Sequence, residues 1–208
     1  MPLTSLPTRY PSLVPVMPAV TAAIDEIISA FAGGGKLLVC GNGGSAADAD
    51  HIVGELMKSF LLRRRPTKEE LAALAAQGEN GEYLAERLER GLPAISLCAH
   101  AALMTAVAND TAADTIFAQQ VMALGREGDV LLTLSTSGNS RSCVLAATAA
   151  KARGLTVIAL TGAGGGRLGG IADVTVAVPE KETYKVQELH LPIYHALCAA
   201  VEARFFGE

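Results

Sequence analysis

The chain has 208 residues, half of them apolar and 4% aromatic, which is enough for one domain with a full core. Its net charge of -4 gives no electrostatic basis for binding nucleic acid or an anionic membrane surface. Cys40, Cys98, Cys143 and Cys198 stand in apolar segments without CxxC spacing, which predicts buried free thiols and a reducing, cytoplasmic setting.

The opening MPLTSLPTRYP lacks a basic region followed by an apolar one, so no secretory leader is expected. No apolar run is expected to reach the ~18 residues a membrane span needs. Apolar residues spaced at three and four predict a helix from about Pro11 to Ala32, stopped by Gly33 to Gly35. Lys36 to Cys40 reads as a strand buried on both faces, and Ser45 to Phe60 as a helix. From Leu61 to Gly91 the chain turns charged and alanine-rich, which predicts an inserted pair of short helices broken at Gly78 to Gly81. Thr67 and Glu70 fit a capping box for the first of them. Arg63, Arg64 and Arg65 at its start read as a solvated face.

Pro93 to Cys98 is a strand, followed by helical segments through Leu124. Asp129 to Leu134 is a strand and Ser140 to Arg153 a helix. Leu155 to Thr161 and Asp173 to Val178 are the last strands, with a glycine-rich turn between them. A final helix runs from about Thr183 to Phe206, where Pro192 predicts a kink or a restart. Five apolar strands alternating with helices predict a three-layer α/β sandwich, a parallel sheet with helices on both faces. No linker divides the chain, so residues 1–208 read as a single domain.

Two loops carry most of the chemistry. GNGGS, Gly41 to Ser45, follows the strand KLLVC, and STSGNS, Ser135 to Ser140, follows DVLLTL. In an open α/β sheet, loops at the carboxyl ends of neighbouring strands face one crevice. Glycine lets the backbone approach an anion, and a helix N-terminus offers free N–H groups. Together with the hydroxyls of Ser45, Ser135, Thr136, Ser137 and Ser140, this points to a ligand with a phosphate and several hydroxyls, most simply a sugar phosphate. Gly164, Gly166 and Gly169 formally match GxGxxG, but too little chain follows for a dinucleotide unit, so a flexible turn is expected there.

His51 and Glu55 lie four apart on one helix face, suited to a metal half-site, a proton-transfer pair or a plain surface pair. The last helix carries Gln187, His190 and His195 among apolar residues. Gln187 and His195 point to a similar side but stand roughly 12 Å apart on a straight helix. One ion cannot easily join them unless Pro192 breaks the helix or they act from different subunits. His190 faces another way and reads as a satisfied core histidine.

CGNGGSAADADHIVGEL, the AND at Ala108 to Asp110, LSTSGNS and QELHLPIYH together resemble the sugar isomerase (SIS) family, and more narrowly its phosphoheptose isomerases. The resemblance runs from about Ala32 to Glu202, apart from the insert. It implies a flavodoxin-like, five-stranded parallel sheet and a homotetramer with active sites shared between subunits. It further implies that Glu55 is the base and His195 its acid/base partner. Substrate contacts fall on Asn42, Gly43, Gly44, Ser45, Asn109, Asp110, Ser135, Thr136, Ser137, Ser140 and Gln187. Some members bind zinc through residues matching His51, Glu55, Gln187 and His195, so zinc or another divalent metal is the implied cofactor.

The implied reaction interconverts sedoheptulose 7-phosphate and D-glycero-D-manno-heptose 7-phosphate through an enediolate. The usual members have a much shorter connection at 61–91, and an insert so close to Glu55 could cover the site and change the substrate. Two other functions suit the same fold. One is a non-catalytic adaptor, like the family's replication-initiator-binding relative. The other is a sugar-phosphate lyase or etherase using a similar base and phosphate pocket. A pull-down without any sugar-phosphate turnover would favour the first; enone or lactate products would favour the second.

Overall fold

The computed structural model describes residues 3–207. β1 (Leu37–Gly41), β2 (Ala94–Ser96), β3 (Val130–Ser135), β4 (Thr156–Thr161) and β5 (Val174–Ala177) form one sheet in the order β2-β1-β3-β4-β5. Every pairing is parallel; Leu37 and Val39 of β1 lie opposite Val130 and Leu132 of β3. This is the flavodoxin-like order, with its topological switch point between β1 and β3.

The strands are apolar on both sides because both faces are covered. Leu37 and Val39 enter a core with α2 (Met17–Ala32), α3 (Gly44–Met57) and α9 (Thr183–Phe206). Their neighbours Leu38 and Cys40 enter a second core with α7 (Ile116–Leu124) and α8 (Arg141–Ala152). The period-two alternation of a strand therefore separates two cores, giving the expected three layers.

The helix expected from Pro11 to Ala32 divides. Pro11–Val16 is 3-10 helix and α2 begins at Met17, preceded by the single-turn α1 (Leu6–Arg9). Pro15 lacks an N–H inside the first part, while Pro18 falls in the first turn of α2, where none is needed. Pro11–Ala32 taken together is long and apolar enough to cross a membrane, with mean hydropathy 1.5. This departs from the expectation that no apolar run reaches that length: Asp25 and Glu26 interrupt the stretch without lowering its mean hydropathy enough to exclude it. Here it lies on the sheet, burying Leu13, Val20, Ile24 and Ile27.

α9 runs through Pro192 without restarting. In the insert, α4 (Lys68–Ala75) opens on the expected capping box, and α5 (Glu79–Arg87) follows. The break ends at Gly78, with φ of 76°. Gly81 lies inside α5, where a Cβ would fall 1.8 Å from the Leu74 carbonyl oxygen. Its role is to let the two helices cross closely rather than to break them. α6 (Ala101–Val107) leads into a π-helical turn, Ala108–Ala112.

Candidate active site

The loops after β1 and β3 part at the switch point and are tied across it by one side chain. Asn42 Nδ2 donates to Ser140 Oγ at 2.9 Å and to Ser142 Oγ at 3.0 Å, and lies 3.6 Å from Cys143 Sγ. In the first loop Gly43, with φ of 57°, turns the chain into α3. A Cβ on Gly44 would meet the Gln187 amide at 2.7 Å, so Gln187 rests directly on this loop. Asn42, Gly43 and Gly44 are exposed, while Ser45 is buried.

In the second loop the N–H of Ser140 points at Ser135 Oγ (3.4 Å), and the N–H of Asn139 donates to Ser137 Oγ (3.1 Å). Ser140 occupies the N-cap position of α8, yet its hydroxyl does not cap the helix. It faces Asn42 and Ser142 instead, leaving the first N–H groups of α8 available to an anion.

The glycine-rich stretch after β4 is not a loose turn. Its backbone N–H groups at Gly162, Arg167 and Leu168 donate to Thr136 O, Asn139 Oδ1 and Gly138 O. A Cβ on Gly138, whose φ is 65°, would lie 2.1 Å from the Gly165 carbonyl oxygen. Successive glycines permit this close approach, and the stretch braces STSGNS from behind.

Glu55 and His195 are brought together at the other end of α3 through His51, which touches both. His51 Nε2 lies 3.1 Å from Glu55 Oε1, and Lys58 Nζ donates to Glu55 Oε2 at 3.1 Å. The His51 and His195 rings stand edge to face with centroids 5.0 Å apart. Phe60 flanks His195 at 5.8 Å. Burial, and then the neighbouring His51, hold His195 below its ordinary pKa against the opposing pull of Glu55. His195 is therefore neutral at pH 7, with one ring N–H to give and one lone pair to receive.

Asp48 and Tyr194, which sequence reasoning missed, extend this cluster. The Tyr194 hydroxyl donates to Asp48 Oδ1 at 3.1 Å and lies 3.1 Å from His51 Nδ1. Asp48, Tyr194, His51 and Glu55 thus form one continuous hydrogen-bonded chain along α3 and α9. Burial raises the Asp48 pKa, and burial and Asp48 push the Tyr194 phenol up. Asp48, three residues before His51 on one helix face, was the available signal.

His51, Glu55 and His195 come together within one chain, while Gln187 lies at the glycine loop. Pro192 does not shorten the distance between Gln187 and His195, because the helix is continuous. The donor atoms suit zinc, but their arrangement does not: among the described residues no group of three or more His, Cys, Asp or Glu could hold a metal ion. Asn109 and Asp110 are exposed on the π-helical turn, hydrogen-bonded to each other at 2.8 Å. The 3-10 turn that follows, Ala113–Thr115, is tied to α8 through Asp114 and Arg141.

Two further expectations are corrected. Arg63 and Arg65 are exposed, but Arg64 is buried, because its guanidinium has three acceptors beneath α3. Cys40, Cys143 and Cys198 are buried, but Cys98 is only partly so. His190 is a core residue, its Nε2 3.2 Å from the Thr161 carbonyl.

The SIS domain model matches residues 16–91 and 83–162, dividing within the insert. A phosphoheptose isomerase from Rhodospirillum rubrum is 40% identical over 185 residues, 89% of this chain and 85% of its own. The structure of a phosphoheptose isomerase from Francisella tularensis is similar with a TM-score of 0.76 at 33% identity, covering 95% of this chain and 92% of that one. A second, from Neisseria gonorrhoeae, gives 0.70 at 35% identity, covering 88% and 85%.

Proposed function

We propose, from the premise that this chain belongs to the SIS domain family, that it is an aldose–ketose isomerase acting on sedoheptulose 7-phosphate and D-glycero-D-manno-heptose 7-phosphate. The observation that carries the proposal is the meeting of Glu55 and His51 with His195 on the same chain as two serine loops joined by Asn42. Relatives of this identity and coverage named phosphoheptose isomerase support the heptose. Ser45 and Glu55 are ten residues apart on α3, about 15 Å along its axis. A long-chain sugar phosphate suits that separation between phosphate anchor and reacting carbons.

The phosphate sits in the two loops, taking hydrogen bonds from Ser137, Ser140 and the first N–H groups of α8. Asn109, Asp110 and Gln187 serve the sugar hydroxyls. Glu55 takes the proton from C1 of the ketose, and that electron pair forms the C1–C2 double bond. His195 gives its ring proton to the C2 oxygen and receives one from the C1 oxygen, a shuttle open to a neutral imidazole. Glu55 then returns its proton to C2, leaving the aldose. Binding energy at the remote phosphate positions the reacting carbons.

Zinc or another divalent ion is the proposed cofactor on donor chemistry alone, with His51, Glu55, Gln187 and His195 as candidate ligands; none of the steps above depends on it. The proposed assembly is a homotetramer in which neighbouring copies complete the walls of each site. Exposed Leu103, Met122 and Leu191 give apolar surface for it. The proposed setting is the cytoplasm, in keeping with four free thiols. Incubation with sedoheptulose 7-phosphate tests the activity: an aldose 7-phosphate should accumulate to equilibrium. Enone or lactate products, or no turnover, would refute it.

A further inference from the structure

We propose that Arg64, clamped by Glu202, is a positioning residue that sets Glu55 against His195. This rests on the isomerase reading above. Its two neighbours in the RRR run are exposed, yet the Arg64 side chain is fully buried, as is that of Glu202. Arg64 Nε donates to Glu202 Oε1 at 2.7 Å, Nη1 to the Leu56 carbonyl at 2.5 Å, and Nη2 to the Glu55 carbonyl at 2.9 Å. Those carbonyls belong to the last turn of α3, which has no intrahelical donors of its own. A cation also complements the negative end of the helix dipole. The backbone of the proposed base is therefore held by a side chain from the insert's first residues.

The other half of the clamp belongs to the helix of the acid/base partner. Glu202 stands seven residues after His195 on α9, so the two share a face about 10 Å apart. Besides Arg64, its carboxylate accepts the N–H groups of Phe60 (2.8 Å), Leu61 (2.7 Å) and Leu62 (3.1 Å). These bind the loop leaving α3 to α9. Burial alone would raise the Glu202 pKa, but the N–H groups of Phe60 and Leu61, with Arg64, outweigh it and hold the carboxyl below its usual range. The Phe206 ring closes the guanidinium from one side, 4.9 Å away. Arg64 is thus a crosspiece between the end of α3 that carries Glu55 and the helix that carries His195.

A buried ion pair is weak as a source of stability, since an apolar pair of similar volume often serves as well. What the planar guanidinium adds is direction: three acceptors on two helices, met at fixed angles. The phosphate loops lie at the opposite end of α3. Loss of the clamp should therefore disturb proton transfer and spare substrate binding, because small misplacements at the reacting atoms cost rate steeply.

The test compares Arg64→Lys and the double variant Arg64→Met/Glu202→Gln with the wild-type protein on sedoheptulose 7-phosphate. Lysine keeps the charge against Glu202 but cannot span both carbonyls. The double variant removes both charges, and glutamine keeps one acceptor oxygen for the Leu61 and Leu62 N–H groups while giving up the one that serves Phe60. For each, kcat and KM are measured at a temperature where circular dichroism shows the protein folded. The expected result is a fall in kcat of about 10- to 100-fold with KM within about twofold of wild type, and Arg63→Ala unchanged. A merely structural role would lower the melting temperature and leave kcat per folded enzyme unchanged. Folded variants with kcat within about twofold of wild type, or with KM raised and kcat kept, would overturn the proposal. Should the double variant not fold, Arg64→Lys decides alone. Absence of turnover by the wild type would overturn the isomerase reading and this role with it, whereas wild-type turnover with unaffected variants would overturn the role alone.

Discussion

Acidification should unlock α9 from the sheet through His190. Its Nε2 donates to the Thr161 carbonyl at the end of β4, and its Nδ1 is buried without any hydrogen-bond partner. Protonation would put an N–H at Nδ1 into apolar surroundings, so burial lowers its pKa from the ordinary 6.5 to about 4 despite the Thr161 bond. The folded state thus binds the proton less readily than the unfolded one. The associated stability is complete above pH 6.5 and is lost progressively as pH falls through about 4. At ~1.36 kcal/mol per unit the loss reaches about 3 kcal/mol. Urea unfolding of the wild type and His190→Gln, at pH 7 and again near pH 4, measures it. Glutamine can still donate to Thr161 but does not titrate. Other acid-sensitive groups, Glu202 among them, act equally on both proteins and cancel in the difference. The stability gap between the two proteins should narrow or reverse by about 3 kcal/mol on acidification. Parallel pH dependences would refute the reasoning.

The loops, the acid–base pair and the metal each yield a further test. Ser137→Ala and Ser140→Ala should each remove a hydrogen bond to a charged group, about 1.5–3 kcal/mol, raising KM roughly 10- to 150-fold; an unchanged KM in both places the phosphate elsewhere. The acid limb of the kcat/KM profile should lie below pH 6.5, because His195 is held below that ordinary value and works neutral; a limb above it would contradict the neutral imidazole. Chelation of the assembled protein tests the zinc proposal: activity lost with the metal and restored by zinc would add it to the reaction, whereas full turnover by metal-free protein would leave Glu55 and His195 to act without it. Mixed oligomers of Glu55→Gln and His195→Ala should recover no activity if the proposed base and its partner act from one chain, where His51 joins them; recovery after subunit exchange would show a site shared across the interface.

The layers, the five strands and both serine loops were legible because they follow from local chemistry. Apolar runs bounded by glycine mark buried parallel strands, and hydroxyl-rich loops after them mark the crevice. What escaped depended on partners distant in the chain. Arg64 looks like its solvated neighbours until Glu202, 138 residues on, supplies its counter-charge. Tyr194 reads as apolar helix filler until Asp48 and His51 arrive from α3. The third glycine stretch reads as slack until Gly138 is found pressed against Gly165. Pro192 predicts a break, yet packing holds α9 continuous around it. Gln187 shows the limit of spacing arguments: its distance from His195 followed from helix geometry, but its seat on Gly44 did not.

Turnover of sedoheptulose 7-phosphate in D2O by the wild type and by Glu55→Gln tests the proton-transfer assignment most directly. The wild type should form aldose 7-phosphate carrying deuterium at C2, delivered by a carboxylate that exchanges with solvent. Glu55→Gln, folded and still binding the sugar phosphate, should do so at least ~10²-fold more slowly. A Glu55→Gln protein that isomerises the ketose at the wild-type rate would contradict the assignment of Glu55 as the base.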